Sequence, residues 1–431
     1  MANLELQIGI FGTFDVENYG DLLFPLIAEF ELSKRLGPIK LHRFSYWEKT
    51  TADWPYAVTS LTELPALARN LDGVLIGGGH VIRFDKDVAD GYAPPAPGIH
   101  HPTGYWLAPI LTALQNGIPV AWNAPGVNHQ IPSWADPLMK LAVTGSDYVA
   151  VRDKYARQEI ARVSPQSEIA VTPDTAFGVS RLLDKTQPSQ ELVRLREALG
   201  INRPYLVVQA VKGLESFVRM VVGHPGLFSE YQLVALPIGP VLGDDAALLR
   251  EELPDAICPQ QWPNPLLLAE LIAGAEAAIG TSLHLSITAL AFGVPMFRPA
   301  GFRGNKYRTL SQFDTIFHFA EPLEPEWFIS RFGCAAVSPA VLDVQRKLSS
   351  HWDQVADLFA NGTTNNQSKE ALAVLLQTLP GLLELGDDEN RRLQEQLSKR
   401  DEAISNLKHS NSWRITSPFR FIARKLRGQK E

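Results

Sequence analysis

Short apolar runs alternate along the chain with longer segments in which apolar residues recur at helical spacing. Leu6 to Phe11 has the pattern of a buried strand, and Leu22 to Leu36 has that of a helix ended by Gly37. Similar strand-like runs are "KLHRFS", "GVLIGGG", "PVAWN", "DYVAVRD" and "SEIAV". Helical patterns near Tyr105 to Asn116 and Lys154 to Val163 separate some of them. Such alternation predicts a mostly parallel sheet covered by helices.

A polar segment from Leu183 to Gln190 interrupts this pattern, and we place a domain boundary there. A second series follows, in which "YLVVQAV", "YQLVALP", "AAIG" and "VPMF" are predicted strands. Asn264 and Pro265 predict a helix start, because asparagine caps helices and proline suits their first position. The sequence thus predicts two α/β domains, residues 1–185 and 190–360, with a cleft between them. Ligands of open parallel sheets bind beyond the carboxyl ends of the strands, so we expect the chemistry in those loops.

The chain beyond the second domain has a different composition. Ala340 to Phe359 has a helical pattern that should pack back on the body, and residues 361–410 are predicted to be a flexible link and a helical extension. A short coiled coil and an exposed single helix are both compatible with this extension, because Arg400 interrupts its apolar seam. The seam consists of Leu393, Leu397, Ile404 and Leu407.

Residues 411–431 form a basic and aromatic tail. Six Lys and Arg residues stand here against a single Glu, which gives a net charge of +5 on an otherwise acidic chain. The alternation of cations with Trp413, Phe419 and Phe421 favours peripheral contact with an anionic membrane surface. A disordered and solvated tail is the alternative.

Composition narrows the class of protein. Hydrophobic residues make up 45% of the 431 positions, which is ample for the cores of two domains. A net charge of -7 argues against nucleic-acid binding, which needs a basic footprint over a whole domain. Cys258 and Cys334 form no disulfide framework and lack the paired spacing of a zinc site. The sequence shows no leader-like segment or long apolar run, so we expect a cytoplasmic protein that the tail can bring to the inner face of the membrane.

Two glycine-containing loops follow predicted strands of the first domain. The loop from Gly12 to Gly20 precedes a helix, so its amides can face an anion, and Asp21 is either the N-cap or a functional carboxylate. In the second loop, Gly77, Gly78 and Gly79 let the backbone turn sharply beside a ligand. Both loops are therefore candidates for ligand binding.

Three polar residues follow strands of the same domain. His80 comes directly after the glycine cluster and is either a ligand contact or a structural loop histidine. Arg152 and Asp174 follow two further predicted strands. They either face the cleft or form a structural ion pair.

The strongest candidate for catalysis is His284, in the run "IGTSLHLSITALAFGVP". This run predicts a strand, a helix that starts near Ser282, and a stop at Gly293. Unpaired amides in a first helical turn favour an anion and a neutral imidazole, so His284 is suited to proton transfer beside a phosphate or carboxylate. A helix-capping or core-edge histidine is the alternative. Cations that could hold the anion follow the next strand: Arg298, Arg303, Lys306 and Arg308.

Several segments, in their order and spacing, resemble the polysaccharide pyruvyl transferase family: "GTFDVENYGDLL", "LDGVLIGGG", "YVAVRDKYA", "VTPDTAFGV" and "AAIGTSLHLSITALAFGVP" with a later "NKY". The resemblance covers roughly residues 6 to 310. It implies an α/β protein with two Rossmann-like domains in a glycosyltransferase-B-like arrangement, here with a C-terminal helical or coiled-coil extension. Characterised members transfer a pyruvyl group from phosphoenolpyruvate to a sugar of a cell-surface glycan as a ketal, a reaction that needs no metal and no organic cofactor.

The resemblance assigns site residues position by position. The family's motif positions fall on Gly20 and Asp21, on Gly77, Gly78 and Gly79, on Arg152 and Asp153, on Asp174, on His284 and on Lys306. Many members carry an arginine two residues before the histidine, where this chain has Ser282. Arg298, Arg303 or Lys306 would then have to supply that charge.

The resemblance also implies roles for these residues. We predict that His284 is the general acid or base and that Arg303 and Lys306 hold the donor anion. Asp21 is the second predicted catalytic residue, on the acceptor side with the glycine turn. Gly20, Arg152, Asp174 and Ser282 complete the predicted substrate-binding set.

The expected partners are phosphoenolpyruvate and a saccharide or lipid-linked saccharide acceptor of a bacterial surface polysaccharide. The tail resembles the "SWR-x-T-x-P-x-R" endings of bacterial glycan-assembly glycosyltransferases, which suggests the same setting. A homo-oligomer is compatible with the sequence. Two alternatives stay open: a glycosyltransferase-B-type enzyme that uses a nucleotide sugar, and a non-catalytic scaffold recruited to the membrane.

Overall fold

The strands and helices form two parallel α/β domains followed by long helices. The computed structural model describes residues 5–84, 102–127, 129–301, 305–333, 336–362, 367–410 and 413. Its strands are β1 (Leu6–Phe11), β2 (Ile39–Ser45), β3 (Thr59–Ser60), β4 (Gly73–Ile76), β5 (Val120–Trp122), β6 (Ala150–Val151), β7 (Ala170–Val171), β8 (Tyr205–Gln209), β9 (Gln232–Leu236), β10 (Ala277–Ile279), β11 (Met296–Pro299) and β12 (Ile316–Phe319). Its α-helices are α1 (Tyr19–Leu36), α2 (Leu64–Leu67), α3 (Leu107–Asn116), α4 (Asp136–Thr144), α5 (Lys154–Val163), α6 (Val179–Leu182), α7 (Gln190–Leu199), α8 (Glu215–Gly223), α9 (Pro225–Phe228), α10 (Ala246–Arg250), α11 (Pro265–Ala273), α12 (Leu283–Phe292), α13 (Pro325–Ile329), α14 (Pro339–Asn361) and α15 (Gln367–His409).

The N-terminal sheet has the strand order β3-β2-β1-β4-β5, and all its pairs are parallel. Phe11 at the end of β1 is aligned with Phe44 of β2 and Ile76 of β4, so these strands end in one row. β6 and β7 form a separate parallel pair, which a bridge from Tyr148 to Ala121 connects to β5. The predicted parallel sheet is therefore confirmed for this domain.

The C-terminal sheet has the strand order β12-β11-β10-β8-β9 and is also entirely parallel. β8 and β10 are buried along their whole length, as expected for strands covered on both faces. One hydrophobic cluster includes Ile27 of α1 together with Leu268 of α11 and Ile287 of α12. The first helix of the N-terminal domain thus packs directly on helices of the C-terminal domain.

Most helix ends follow the capping residues that the sequence indicates. α5 has its predicted bounds, and α11 begins after Asn264, whose side chain accepts a hydrogen bond from the Leu267 amide. α1 ends at Gly37 with a φ of 81°, and α12 ends at Gly293 in the left-handed conformation. Glycine adopts this conformation without a steric penalty, which explains both stops.

The start of α1 differs from the prediction. The helix begins at Tyr19 rather than near Leu22, and Asn18 caps it by accepting a hydrogen bond from the Gly20 amide at 3.2 Å. Asp21 lies in the first turn and is 8% exposed. Of the two alternatives for Asp21, the N-cap is therefore wrong.

α14 returns from the C-terminal domain and packs against the N-terminal one, as its apolar pattern predicts. Its His351 lies between the two polar side chains of Tyr148 and Asn123. The Tyr148 hydroxyl is 3.1 Å from His351 Nδ1, and Asn123 Oδ1 is 3.3 Å from Nε2. Further along α14, the ring of Phe359 fills the space beside Gly73. Polar and apolar contacts together attach this helix to β4 and β5.

His351 should make stability depend on pH. Burial lowers its pKa from 6.5 to about 3. Because the unfolded chain takes up this proton at a higher pH than the folded protein, the free energy of unfolding should fall as the pH falls from 6.5 towards 3, by up to about 1.4 kcal/mol per pH unit. Urea unfolding at several pH values measures this slope. The His351→Gln variant should lose this part of the pH dependence. The control variant His409→Gln, which replaces an exposed histidine on α15, should keep it. Equal slopes in the parent and both variants would contradict the assignment of the pH dependence to His351.

The C-terminal extension is helical. α15 packs against α3 and α4 of the N-terminal domain, and its four seam residues are between 45% and 61% exposed. The coiled coil therefore stays a prediction. The tail lies outside the described residues except for Trp413, as do residues 363–366 of the predicted link. Within the described part of the chain, no helix has the length and apolar character needed to cross a membrane.

Candidate active site

The glycine turn after β4 packs closely on β1 and α1. The Gly77 amide donates to the Phe11 carbonyl at 2.8 Å, and a Cβ on Gly77 would lie only 2.4 Å from that oxygen. A Cβ on Gly78 would lie 2.4 Å from the ring of Phe24, and Gly79 has a φ of +80°. Residues with a side chain would therefore push the turn away from α1.

Asp21 and Gly20 lie beside this turn, in the first turn of α1. Asp21 Oδ1 is 3.2 Å from the position that a Cβ on Gly79 would take. Gly20 faces the other domain, and a Cβ there would lie 1.8 Å from Nδ1 of His284. The imidazole thus occupies the space that a side chain at Gly20 would need.

The start of α12 presents His284 to this space. Ser282 caps the helix, and its hydroxyl accepts from the Leu285 amide at 3.4 Å. The amides of Thr281 and Ser282 both donate to Gln209 Oε1 at 2.8 Å. These three amides are used within the protein. We expected unpaired amides at this helix start, but these three already have partners. An anion bound here would therefore need other hydrogen-bond donors.

Gln209 is held in turn by Asp244. Its Nε2 donates to Asp244 Oδ2 at 2.8 Å, and the same oxygen accepts from the amides of Ile238 and Gly239 at 2.9 and 3.0 Å. Burial raises the pKa of the Asp244 carboxyl, and these hydrogen bonds oppose the rise. The Ile238 carbonyl accepts from the Tyr19 amide at 3.0 Å. Asp244 is thus connected to the start of α12 through Gln209 and to the start of α1 through Ile238.

His284 lies at the junction of the two domains, next to an acidic residue. Its Nε2 is 3.8 Å from Asp174 Oδ2, and its ring meets that of Phe24 edge-on with centroids 5.7 Å apart. The His284 side chain is 13% exposed. A carboxylate this close can stabilise the positive charge that an imidazole gains when it takes up a proton. This opposes the preference for a neutral imidazole that we expected from the helix start alone.

Asp174 also pairs with Arg152. Arg152 Nη1 donates to Asp174 Oδ2 at 3.2 Å, and its Nη2 contacts His80 Nε2. Arg152 and Asp174 are only 3% and 5% exposed, and Asp174 Oδ1 accepts from the Ala176 amide at 3.1 Å. The ion pair considered as a structural alternative is present, but it lies against His80 and His284. Three features proposed separately from the sequence, His80, the Arg152–Asp174 pair and His284, are therefore one cluster.

Arg298 lies beneath α12. It is 1% exposed, and its Nη1 donates to the Ser282 carbonyl at 3.0 Å and to the Ser286 hydroxyl at 2.7 Å. Burial lowers the pKa of Arg298, and its guanidinium stacks 4.3 Å from the centroid of the Tyr307 ring. Arg298 thus stabilises the start of α12.

The other predicted cations follow β11. Arg303 lies outside the described residues, and Lys306 belongs to the short 3-10 helix Asn305–Gln312. Burial is the main cause of the raised pKa of Tyr155 on α5, and the charge of Arg308 opposes it. The charge of Arg308, on the short helix, thus acts on Tyr155 of α5, the helix that follows the Arg152 strand.

A sequence model of the polysaccharide pyruvyl transferase family matches residues 18–298, more than half of the chain. The chain belongs to the polysaccharide pyruvyl transferase family. The match contains the whole cluster around His284, whereas Arg303 and Lys306 lie beyond it. Among proteins with curated descriptions, no match is found.

Solved structures share the fold of this pyruvyl transferase family member at low sequence identity. UDP-GlcNAc 2-epimerase from Neisseria meningitidis, bound to UDP-GlcNAc, is 13% identical, with a TM-score of 0.50 and coverage of 86% of this chain and 99% of that one. The enzyme of the same name from Methanocaldococcus jannaschii is 14% identical, with a TM-score of 0.49 and coverage of 76% and 91%. The glycosyltransferase SnogD from Streptomyces nogalater is 14% identical, with a TM-score of 0.44 and coverage of 84% and 100%. The likeness to the Neisseria meningitidis enzyme concerns the fold alone, two Rossmann-like domains in a glycosyltransferase-B-like arrangement, as predicted.

Sequence reasoning missed several residues that build the site of this pyruvyl transferase family member: Tyr19, Gly126, Gln209, Asp244 and Thr288. The hydroxyls of Tyr19 and Thr288 are 2.7 Å apart and join α1 to α12. A Cβ on Gly126 would lie 2.6 Å from Cδ2 of His80. Gln209 could have been proposed from the sequence, because it is a polar residue at the carboxyl end of a strand, as Arg152 and Asp174 are.

Proposed function

We propose that this chain transfers a pyruvyl group from phosphoenolpyruvate to a sugar of a bacterial surface polysaccharide and forms a ketal. The position of His284 carries the proposal, because its ring fills the space beside Gly20 of the other domain and lies 3.8 Å from Asp174. A group able to exchange a proton is thus held where ligands of the two sheets would meet. Membership of a transferase family supports the same conclusion.

The reaction starts with a proton transfer. Protonation of the methylene carbon of phosphoenolpyruvate makes the adjacent carbon cationic, and a sugar hydroxyl attacks that carbon and gives up its proton. The carbon–oxygen bond to phosphate then breaks, and a second hydroxyl of the same sugar closes the ketal. We assign the first protonation to His284, which recovers a proton from the first attacking hydroxyl. The proton of the second hydroxyl leaves with the phosphate.

The neighbours of His284 suit this role. Asp174 would orient the imidazole and stabilise its charge, while Arg152 and the Ala176 amide hold the Asp174 carboxylate in place. Asp21 lies in the N-terminal domain beside the glycine turn, and we assign it to the acceptor side. The acceptor is a saccharide or a lipid-linked saccharide.

Phosphate release tests the proposal against its alternatives. The purified protein is incubated with phosphoenolpyruvate and a pooled extract of cell-envelope saccharides, and in parallel with UDP-sugars and the same extract. Release of inorganic phosphate with a new pyruvyl methyl signal in the saccharide NMR spectrum supports pyruvyl transfer. Release of UDP instead would favour a sugar transferase of the same fold, and inertness in both assays would favour a scaffold.

Lys306 and Arg303 should control donor binding. Replacing either with Gln should raise the KM for phosphoenolpyruvate by roughly tenfold or more and change turnover less, because a charge that binds the donor anions is lost and Ser282 cannot replace it. Phosphate release measured against donor concentration separates the two constants. Lys347→Gln is the control, since Lys347 is 60% exposed and pairs with Asp343 on α14. A normal KM in both Lys306 and Arg303 variants would assign the donor charge to other residues.

A further inference from the structure

An exposed tryptophan stands at the carboxyl edge of the N-terminal sheet. Trp47 follows β2 and is 49% exposed, although tryptophan is highly buried on average in folded proteins. The preceding Tyr46 is 5% exposed and packs on Tyr105 with ring centroids 4.2 Å apart. The chain thus turns one aromatic ring inwards and presents the next to solvent.

Hydrogen bonds attach this segment to the loop that leads into α1. The Trp47 amide donates to Asp15 Oδ2 at 2.8 Å, and Trp54 Nε1 donates to the Phe14 carbonyl at 3.0 Å. Asp15 is 6% exposed, so its bond to Trp47 is shielded from water. The backbone that carries the exposed ring is therefore held in place against the loop that continues into the active site.

Strand register relates the strand before Trp47 to the strand before the glycine turn. Phe44, Phe11 and Ile76 are aligned across β2, β1 and β4. Neighbouring strands lie about 4.8 Å apart, so the ends of β2 and β4 are separated by about 10 Å, roughly the length of a disaccharide. Trp47 and Gly79 each follow their aligned residue by three positions. Trp47 and the glycine turn thus follow strands on either side of β1, at the same edge of the sheet.

The surroundings of Trp47 suit a neutral sugar better than the anionic donor. Glu48 and Asp53 are exposed in the same segment, and the one cation between them, Lys49, lies over the Trp54 ring. A hydrogen bond from Thr51 lowers the pKa of Asp53, which keeps it negatively charged. One face of many pyranose rings carries several C–H bonds that can pack on an indole while the hydroxyls stay in water.

We infer that Trp47 is a stacking platform for a second sugar of the acceptor, which makes the acceptor an oligosaccharide. The inference rests on the proposed function, because the glycine turn must hold the sugar that receives the pyruvyl group. A stacked ring contributes about as much as an aromatic pair, so removing it should weaken acceptor binding by roughly tenfold.

Fluorine NMR of protein labelled with 5-fluorotryptophan tests this without any turnover. The chain has nine tryptophans, and Trp47→Phe assigns the Trp47 resonance. The probes are the methyl glycosides of glucose, galactose, mannose and N-acetylglucosamine, and the disaccharides cellobiose, lactose, mannobiose and chitobiose. We expect at least one disaccharide to shift the Trp47 resonance saturably, and at lower concentration than its methyl glycoside. Phosphoenolpyruvate should leave this resonance in place.

Trp413 is the matched control, because it is 40% exposed but lies beyond α15. Trp47→Ala should weaken the binding of the active disaccharide roughly tenfold by calorimetry, and Trp413→Ala should not. No shift of the Trp47 resonance with any probe, or equal shifts at Trp413, would overturn the inference even if phosphate is released from phosphoenolpyruvate. Saturable shifts at Trp47 without phosphate release would support the sugar platform and count against pyruvyl transfer.

Discussion

Replacing His284 with Gln should lower turnover by roughly 10²-fold or more while the affinity for phosphoenolpyruvate changes little. Glutamine keeps the size of the side chain and some of its hydrogen bonding, but it cannot exchange a proton at the methylene carbon. The ring occupies the space beside Gly20 and lies 3.8 Å from Asp174, so the reacting carbon has to come to this junction. Steady-state phosphate release gives turnover and KM separately.

His224→Gln controls for the loss of a histidine as such. His224 ends α8, where its Nδ1 is 3.0 Å from the Met220 carbonyl, away from the cluster. This variant should keep the parent turnover. A His284→Gln enzyme with near-normal turnover would reduce His284 to a core-edge histidine and remove the main support for pyruvyl transfer.

Gly20→Ala should lower turnover nearly as much as His284→Gln does, although alanine normally favours a helix. In an exposed helix the change from Gly to Ala stabilises by up to about 1 kcal/mol. Here the new Cβ would lie 1.8 Å from Nδ1 and 2.1 Å from Cγ of His284, so the imidazole or the helix must move. Displacement of a catalytic group by an ångström or more is enough to lower turnover by roughly 10²-fold. The same phosphate assay measures it.

Two comparisons show whether this loss acts through His284. Gly223→Ala places a methyl group in open space at the end of α8, with nothing within 4 Å, and should behave as the parent. The double variant Gly20→Ala with His284→Gln should be no slower than His284→Gln alone, because both changes remove the same proton transfer. Multiplied losses in the double variant would mean that Gly20 acts independently of the histidine.

The packing of α1 on α12 explains why one glycine has this importance. Asp244 connects to both helix starts, to α12 through Gln209 and to α1 through the Ile238 carbonyl. The hydroxyl of Tyr19, the first residue of α1, and that of Thr288, five residues along α12, join the same helices. The position of His284 therefore depends on two domains at once.

The order of strands and helices could be predicted from the sequence because it depends on local patterns. Buried strands are continuous apolar runs, and the helix ends at Asn264, Gly37 and Gly293 depend on the conformations and hydrogen bonds of single residues. The start of α1 was misplaced by a few residues because Asn18 and Asp21 are both good capping residues. The spacing of motifs was also sufficient to identify the family, since a match over residues 18–298 confirms it.

The site residues could be proposed one by one, but the sequence could not show which of them touch. Strand ends of parallel sheets point to one edge, so Arg152 and Asp174 were expected in the cleft. Their ion pair, which the sequence offered as an alternative, joins residues 22 positions apart. The approach of Asp174 to His284 depends on the packing of residues 110 positions apart.

The sequence by itself determined most of the elements and their order, the family and the candidate residues, because each of these depends on local pattern or on motif order. The edge strands β3 and β12 were not predicted. Only the tertiary structure decided that Gly20 makes room for His284, that Gln209 takes the amides of the α12 start, and that Arg298 lies beneath that helix. These are contacts between separate elements of the fold. The contact of Gly20 with His284 depends on how the two domains pack, and the other two depend on how β8, β11 and α12 pack within the C-terminal domain. A short stretch of sequence contains no information about either packing.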